Sequence, residues 1–374
     1  MKKLLALVCL STALGSIAAI PPAARASGLF TVTNLVTDDQ TVNSAQTTDT
    51  SLKNAWGISA SPSSPFWVSD NGTGKSTIYQ VDPTTNTTTK LGLEMTIPGG
   101  VTGQAYNDAA SQFNGDRFLF ASEDGTLAGW RSSLGTNAEV LQLASDSNVY
   151  KGAALASSGG HSYLYAANFR AGTIDVLKGD AGAPFLAGNF TDPNLPSGYA
   201  PFNIALLGGK LYVSYAVQDP SKLDDIAGPG SGIVTAFDVE GNLLARVATG
   251  GTLNSPWGMA LAPASFGTLA GDLLVGNFGD GTISAFDLDP INGGFVEQLT
   301  GTDNHPIAID GLWGLIAGND GSAGSSQSIY FSAGPGSEAH GLFGVIAPVP
   351  EPTTTALLGV GLASLALARR RRPA

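Results

Sequence analysis

The feature that most constrains this chain is a repeated pattern, clearest between residues 254 and 290. It reads NSPWGMALAP, then a loop, then DLLVGNFGDGTISAFDLDP. These letters describe an apolar strand that begins at Trp-Gly, a second apolar strand that ends in a polar residue, a glycine turn and an alternating third strand. Variants recur at intervals of about 46 to 56 residues. Self-similarity at this period predicts a propeller or a repeat array.

Six repeats can be counted from their first strands, each of which begins near a pair such as Trp-Gly. The pairs are Trp56-Gly57, Thr102-Gly103, Lys151-Gly152, Phe202-Asn203, Trp257-Gly258 and Trp313-Gly314. One small sheet cannot bury both of its faces, whereas sheets packed around an axis bury them and keep only short edges. We therefore predict an all-β, six-bladed β-propeller over residues 27–347. The recurring glycine fits an inner strand that is crowded by its neighbours, and we expect the tryptophans to pack in the core.

One further strand is expected ahead of the first repeat. Residues 29–36 alternate as LFTVTNLV, which is the period of a β-strand. Propellers commonly close by lending an N-terminal strand to the last blade, so we predict that this segment closes the ring.

Composition narrows the possible chemistry. The chain has 49 glycines and only 13% charged residues, which suits short strands joined by tight turns. Between residues 27 and 350 there are 11 basic and 29 acidic residues. Such a surface repels phosphate backbones, so we expect no nucleic-acid partner. The single cysteine, Cys9, precedes this body, which therefore has no thiol chemistry or disulfide.

The first 26 residues have the features of a secretory signal peptide. Lys2 and Lys3 precede an uncharged apolar run, and Ala24-Arg25-Ala26 fits the small-x-small cleavage rule. Cleavage is predicted between Ala26 and Ser27. The alternative is an uncleaved N-terminal anchor.

The C-terminal segment, residues 348–374, forms a separate module. It contains the motif Val349, Pro350, Glu351 and Pro352, the uncharged run 356–368, and the basic cluster Arg369, Arg370, Arg371 and Arg372. The run is shorter than the ~20 residues that normally span a bilayer, although flanking arginines can snorkel and favour the cytoplasmic side. We predict a short hydrophobic helix that acts as a marginal transmembrane anchor; the alternative is a buried helix.

This tail resembles the bacterial PEP-CTERM sorting signal in order, spacing and terminal position. The resemblance implies a transient tether at the inner membrane of a Gram-negative bacterium. It also implies cleavage near Glu351 by an exosortase-type processing protease, followed by delivery to the cell surface or extracellular matrix.

The body resembles an uncharacterised family of exported bacterial β-propellers, loosely like NHL-repeat and gluconolactonase-type six-bladed rings. The stretches that carry this resemblance include AWGISASP at 55–62, YAANF at 165–169, SPWGMA at 255–260 and DGLWGL at 310–315. The resemblance implies a fold and supplies no catalytic residue.

A candidate metal site comes from aligning the ends of the second strands. Four of the six aligned residues carry side-chain oxygens, the atoms that Ca²⁺ prefers. They are Asp70, Glu123, Asn168 and Asn277. Gluconolactonase-type rings use such a set at the channel mouth, so calcium is the cofactor that the resemblance allows. The alternatives are that Asp and Asn serve turn chemistry before glycine, or that the set binds a polar ligand directly. A polar insertion at 219–232, with Asp219, Asp224 and Asp225, is a weaker candidate Ca²⁺ loop.

No catalytic signature accompanies this fold. His161, His305 and His340 lack metal-ligand spacing, and there is no Gly-x-Ser-x-Gly elbow. We favour an exported binding or scaffolding module of the cell envelope or matrix, whose ligand is a polysaccharide or a matrix protein. The alternative is a calcium-dependent hydrolase or lyase whose site lies at the channel mouth.

Overall fold

The structure is a computed structural model that describes residues 28–289 and 293–350. Its six sheets form the blades of a closed ring, so the predicted six-bladed propeller is confirmed. The predicted signal peptide and C-terminal apolar helix lie outside the described residues, and the domain boundaries that they define remain predictions. Within the described residues no helix is long and apolar enough to cross a membrane.

Each blade is an antiparallel meander that runs outward from the ring axis. The inner strands of blades one to six are Ala55–Ser59, Val101–Tyr106, Tyr150–Ser158, Tyr199–Leu207, Pro256–Leu261 and Leu312–Ala317. The second strands are Phe66–Asp70, Phe118–Ser122, His161–Asn168, Lys210–Val217, Leu273–Asn277 and Ile329–Ala333. The third strands are Lys75–Val81, Leu127–Trp130, Thr173–Lys178, Ile233–Phe237, Ile283–Asp287 and Leu342–Pro348.

The fourth strands differ between blades. Blades one, two, four and five use Thr88–Lys90, Glu139–Gln142, Leu243–Thr249 and Gly294–Gln298. Blade six takes Leu29–Thr37, which pairs antiparallel with Leu342–Pro348, so the predicted closure by an N-terminal strand is confirmed. Blade three has three strands among the described residues.

Short elements complete the fold. Thr47–Thr48 and Thr300–Gly301 pair with Leu29–Thr37, and Met95–Thr96 pairs with Lys75–Val81. The 3-10 helices are Asn71–Thr73, Phe113–Gly115, Ser132–Leu134 and Ala264–Leu269.

Glycine on the inner strands is required by close contact between neighbouring blades. A Cβ on Gly57 would lie 2.5 Å from the Thr102 carbonyl oxygen, and one on Gly103 would lie 2.3 Å from the Ala153 nitrogen. These gaps are too short for a carbon atom. The crowding predicted from the repeated glycine is therefore present, and it holds the inner strands close enough to form one narrow channel.

Candidate functional site

A layer of aromatic rings packs where the inner strands begin. Trp56, Trp257 and Trp313 are nearly fully buried and come from three different blades. The rings of Trp56 and Trp313 stack with centroids 3.8 Å apart, and Phe278 stacks on Trp313 at 3.9 Å. The tryptophans thus pack in the core as predicted, and their layer is the floor of a polar cluster that we call the mouth, formed by Lys151, Glu123, Asp224, Asn54, Asn71 and Glu338.

One lysine lies on this floor. The Lys151 ammonium is 2.6 Å from a Glu123 carboxylate oxygen, 2.7 Å from an Asp224 carboxylate oxygen and 5.1 Å from the centre of the Trp56 ring. Only 2% of its side chain is exposed. Burial opposes the charge, but the two carboxylates outweigh burial, so the pKa of Lys151 is raised above its usual value. Lys151 is therefore a fixed cation at neutral pH and a poor nucleophile or base.

Two asparagines connect the carboxylates around the mouth. The Asn71 amide donates to Glu123 at 2.9 Å. The Asn54 amide donates to Asn71 at 3.2 Å and to Glu338 at 2.8 Å, while its oxygen accepts from the Trp313 indole at 3.0 Å. This chain of hydrogen bonds links blades one, two and six, and it orients the carboxylates before any ligand arrives.

The blade-four insertion covers one side of the mouth. Asp219 accepts the backbone N–H groups of Leu223 and Asp224 at 2.8 and 3.3 Å, which closes a turn and directs Asp224 toward Lys151. Burial raises the pKa of the Asp225 carboxyl. Of the three carboxylates in the weaker candidate calcium loop, Asp219 therefore closes the turn and Asp224 pairs with the Lys151 ammonium.

The four residues of the predicted metal set have separate partners. Glu123 binds Lys151 at the mouth. The Asn168 oxygen accepts the backbone N–H groups of Val149 at 3.2 Å and Ala171 at 3.1 Å. The Asn277 oxygen accepts the N–H of Asn254 at 3.0 Å. The Asn168–Ala171 bond is the turn chemistry of the alternative interpretation, whereas the bonds to Val149 and Asn254 tie the ends of the second strands to the segments before the inner strands.

Asp70, the fourth member, lies inside blade one. It is fully buried, and neither of its carboxylate oxygens has a hydrogen-bond partner of ordinary geometry. Desolvation raises its pKa well above the usual value, only partly offset by the Thr77 hydroxyl. Over residues 28–289 and 293–350, no group of three His, Cys, Asp or Glu side chains is arranged to hold a metal. No contact described above joins two members of the calcium set, and the set stays a prediction.

The histidines have local partners as well. The His161 and His340 rings each approach an aspartate, Asp180 at 2.7 Å and Asp38 at 3.1 Å. No described hydrogen bond joins a histidine ring to a serine hydroxyl. These contacts give no triad.

Sequence reasoning placed Glu123 and Asp224 among candidate ligands but missed Lys151, Asn54, Asn71 and Glu338. One signal was available for Lys151, because it occupies the position at which three repeats carry tryptophan. A charged residue at a core position of a repeat indicates a local function. Asn54 and Glu338 carried no comparable signal.

Comparisons with known proteins concern the C-terminal segment and the fold. Residues 348–372 match the PEP-CTERM protein-sorting motif. This motif indicates export, membrane anchoring through the C-terminus and processing by an exosortase-type protease.

An α-L-arabinofuranosidase from Fusarium graminearum superposes with a TM-score of 0.54 at 10% identity, covering 85% of this chain and 98% of that one. At this identity the likeness shows the fold alone.

Two relatives come from Acanthamoeba polyphaga mimivirus, and both are described as uncharacterised. Protein R648 is 33% identical over 290 residues, which is 73% of this chain and 70% of the relative. Protein L690 is 31% identical over 317 residues, or 79% of this chain and 80% of the relative. The chain therefore belongs to the same protein family as these two viral proteins.

Proposed function

We propose that this protein is sorted to the cell surface and acts there as a binding module of the envelope or extracellular matrix. The sorting motif at residues 348–372 supports export and anchoring. The observation that carries the binding role is the mouth, where carboxylates and amides are held in place around one neutralising ammonium. The ligand class that suits it is a polysaccharide, and a matrix protein is the other candidate.

The mouth offers acceptors and donors at its surface. The side chains of Glu123 and Asp224 are 35% and 73% exposed, although each also contacts Lys151. Carboxylate oxygens accept hydrogen bonds from hydroxyl groups, while amides both donate and accept. Because the side chains are already ordered, binding loses little side-chain entropy. Acidic residues outnumber Lys151 here, so a neutral or amine-bearing glycan is favoured over an acidic one.

A second candidate is the hydrolase or lyase at the same mouth. One observation favours it: burial raises the pKa values of the Glu338 and Asp225 carboxyls. A carboxyl with a raised pKa can remain protonated and act as a general acid. In its calcium-dependent form this candidate also requires the predicted set that includes Asp70 and Glu123.

A glycan array probed with the purified protein tests the binding role. Any glycan retained should bind at least tenfold more weakly to Glu123→Gln, because one acceptor and its pairing with Lys151 are weakened. The matched control is Asp108→Asn, an exposed carboxylate that follows the opposite end of the inner strand of blade two, Val101–Tyr106, and should leave affinity unchanged. Turnover of the bound glycan would instead favour the second candidate.

Calorimetry with calcium chloride tests whether the protein binds calcium at the predicted set. One-site calcium binding that is lost in both Asp70→Ala and Glu123→Ala would support the predicted ligand set and the metal-dependent candidate. Heats indistinguishable from buffer would leave the mouth as a metal-free site.

A further inference from the structure

Blade three leaves open the position that a fourth strand fills in the other blades. Beside its third strand, Thr173–Lys178, lies a groove with a volume of about 810 Å³. Residues 184–190 form the opposite wall, and the rings of Phe113 and Tyr163 line it as well. The groove thus lies where the meander would have continued.

The chain is held away from this position by contacts with blade four. After the third strand, the N–H of Gly188 donates to the Glu240 carbonyl at 2.8 Å and the N–H of Phe190 donates to the Gly241 carbonyl at 3.0 Å. A Cβ on Gly188 would lie 2.3 Å from the Gly241 carbonyl carbon, so the approach is close. These bonds commit the segment to blade four and keep the groove open.

The backbone of Phe190 also indicates that surrounding contacts hold this segment against blade four. Its φ of 57° is rare for an aromatic residue, and such strain persists only where surrounding contacts enforce it. Its ring is buried against Tyr165 and Phe237, with centroids 5.4 and 5.5 Å away. The ring therefore anchors the wall of the groove to the core.

The blade-three edge is available for pairing. The third strand, Thr173–Lys178, is paired only with the second strand, and no other backbone hydrogen bond from it occurs among the described residues. Val176 on this strand is 38% exposed and Phe185 across the groove is 89% exposed. An unpaired edge beside exposed apolar side chains is a template for an incoming strand.

We propose that this groove binds an extended peptide segment of another protein, which adds to blade three as its fourth strand. Backbone hydrogen bonds to the edge would supply affinity, and alternate side chains would enter the groove. The molecule already uses this mode internally, since Leu29–Thr37 completes blade six from the far end of the sequence.

Charge narrows the choice of partner. Asp175 and Asp180 line the groove, and the Glu240 carboxylate lies at its end, where it accepts the N–H of Ala187 at 3.2 Å. Among the described lining residues the one cation is Lys178, which already lies 4.3 Å from the centre of the Phe185 ring. The segment that fits therefore has an alternating apolar core flanked by lysine or arginine.

The test uses a fluorescein-labelled peptide of sequence KVTVTVTK and the full-length protein, measured by fluorescence anisotropy. Val176→Lys places a charge on the pairing edge and should weaken binding at least tenfold. Leu244→Lys is the matched control, because Leu244 is 49% exposed on the fourth strand of blade four and does not line the groove. Hydrogen exchange of the amides in 173–178 should slow when the peptide binds.

A second variant tests the same groove in case Val176→Lys does not fold. Phe185→Ser removes an exposed ring and should also weaken binding, with the melting temperature unchanged. Glu123→Gln at the mouth should bind the peptide normally, which separates this inference from the proposed function. The proposal is overturned if the peptide does not bind, if Leu244→Lys weakens binding equally, or if exchange in 173–178 is unaltered. Self-association that Val176→Lys abolishes would also overturn it, by assigning the groove to a second copy of the chain.

Discussion

At the scale of single residues, two buried charges illustrate opposite outcomes. Lys151 enters the floor of the mouth together with two counter-ions, whereas Asp70 enters blade one without a counter-ion among the described residues and without a hydrogen bond of ordinary geometry to either oxygen. A buried charge is tolerated when it is paired and becomes neutral when it is not. The first therefore stays ionised and the second tends to hold a proton.

Replacing Lys151 by methionine should destabilise the protein. The change leaves Glu123 and Asp224 facing each other without their shared cation. Breaking a buried ion pair costs about 3–5 kcal/mol when the charge left behind is buried, and we expect a smaller loss here because both carboxylates are partly exposed. Urea denaturation would measure the loss, with the exposed Lys210→Met as control. Equal midpoints for the two variants would contradict this account.

Asp70 should make stability depend on pH. Its pKa is raised in the folded state, whereas the unfolded chain has a value of about 3.9. Above that value the folded protein retains the extra proton, so stability falls as pH rises toward the folded pKa. Asp70→Asn should remove this slope and stabilise the protein at pH 7. Thermal melting at several pH values would test it, with Asp146→Asn as the control that should keep the pH dependence of the parent protein. If Asp70→Asn kept that same pH dependence, the prediction would be wrong.

At the scale of elements, strand packing near the axis explains the repeated glycine. The inner strands approach so closely that a single methyl group has no room. The same proximity brings the loops after the second strands together, and three of these loops supply Glu123, Asp224 and Glu338 to one mouth. The geometry of the elements therefore builds the site.

Gly103→Ala should be strongly unfavourable. The added carbon would lie 2.3 Å from the backbone nitrogen of Ala153, and backbone cannot move aside as a flexible side chain can. Overpacking of this kind costs about 1–3 kcal/mol. Gly92→Ala is the control, since its added carbon would have no neighbour within 4 Å. Chemical denaturation of both variants decides the matter; a similar small effect at the two sites would refute the packing argument.

At the scale of the whole molecule, the sorting motif governs where the propeller works. Replacing Pro350-Glu351-Pro352 by alanines should block processing and leave a longer form in the membrane fraction of an exosortase-containing host. Immunoblotting of cell fractions would detect it. Alanine replacement of Thr353, Thr354 and Thr355 is the matched control, for which we expect normal processing. Normal maturation of the motif variant would contradict the assignment.

The fold was accessible from sequence because its information is local. The alternation of apolar residues and the glycine turns depend only on neighbours along the chain. They define six small sheets, and packing these sheets in a ring buries the faces of all of them. Even ring closure by residues 29–36 could be predicted, since the strand had no partner in its own repeat. The lack of a fourth strand in blade three could not, because it depends on contacts of Gly188 and Phe190 with blade four.

The sequence by itself determined the class of protein: an exported, acidic, six-bladed ring with a C-terminal sorting signal. Only the tertiary structure decided what meets at the mouth. Lys151 and Asp224 are separated by 73 positions, and Asn54 and Glu338 by 284. Contacts over such distances depend on how blades are placed around the axis. Local patterns carry no information on that placement, so a set aligned by repeat position included Glu123 but could not name its ammonium partner.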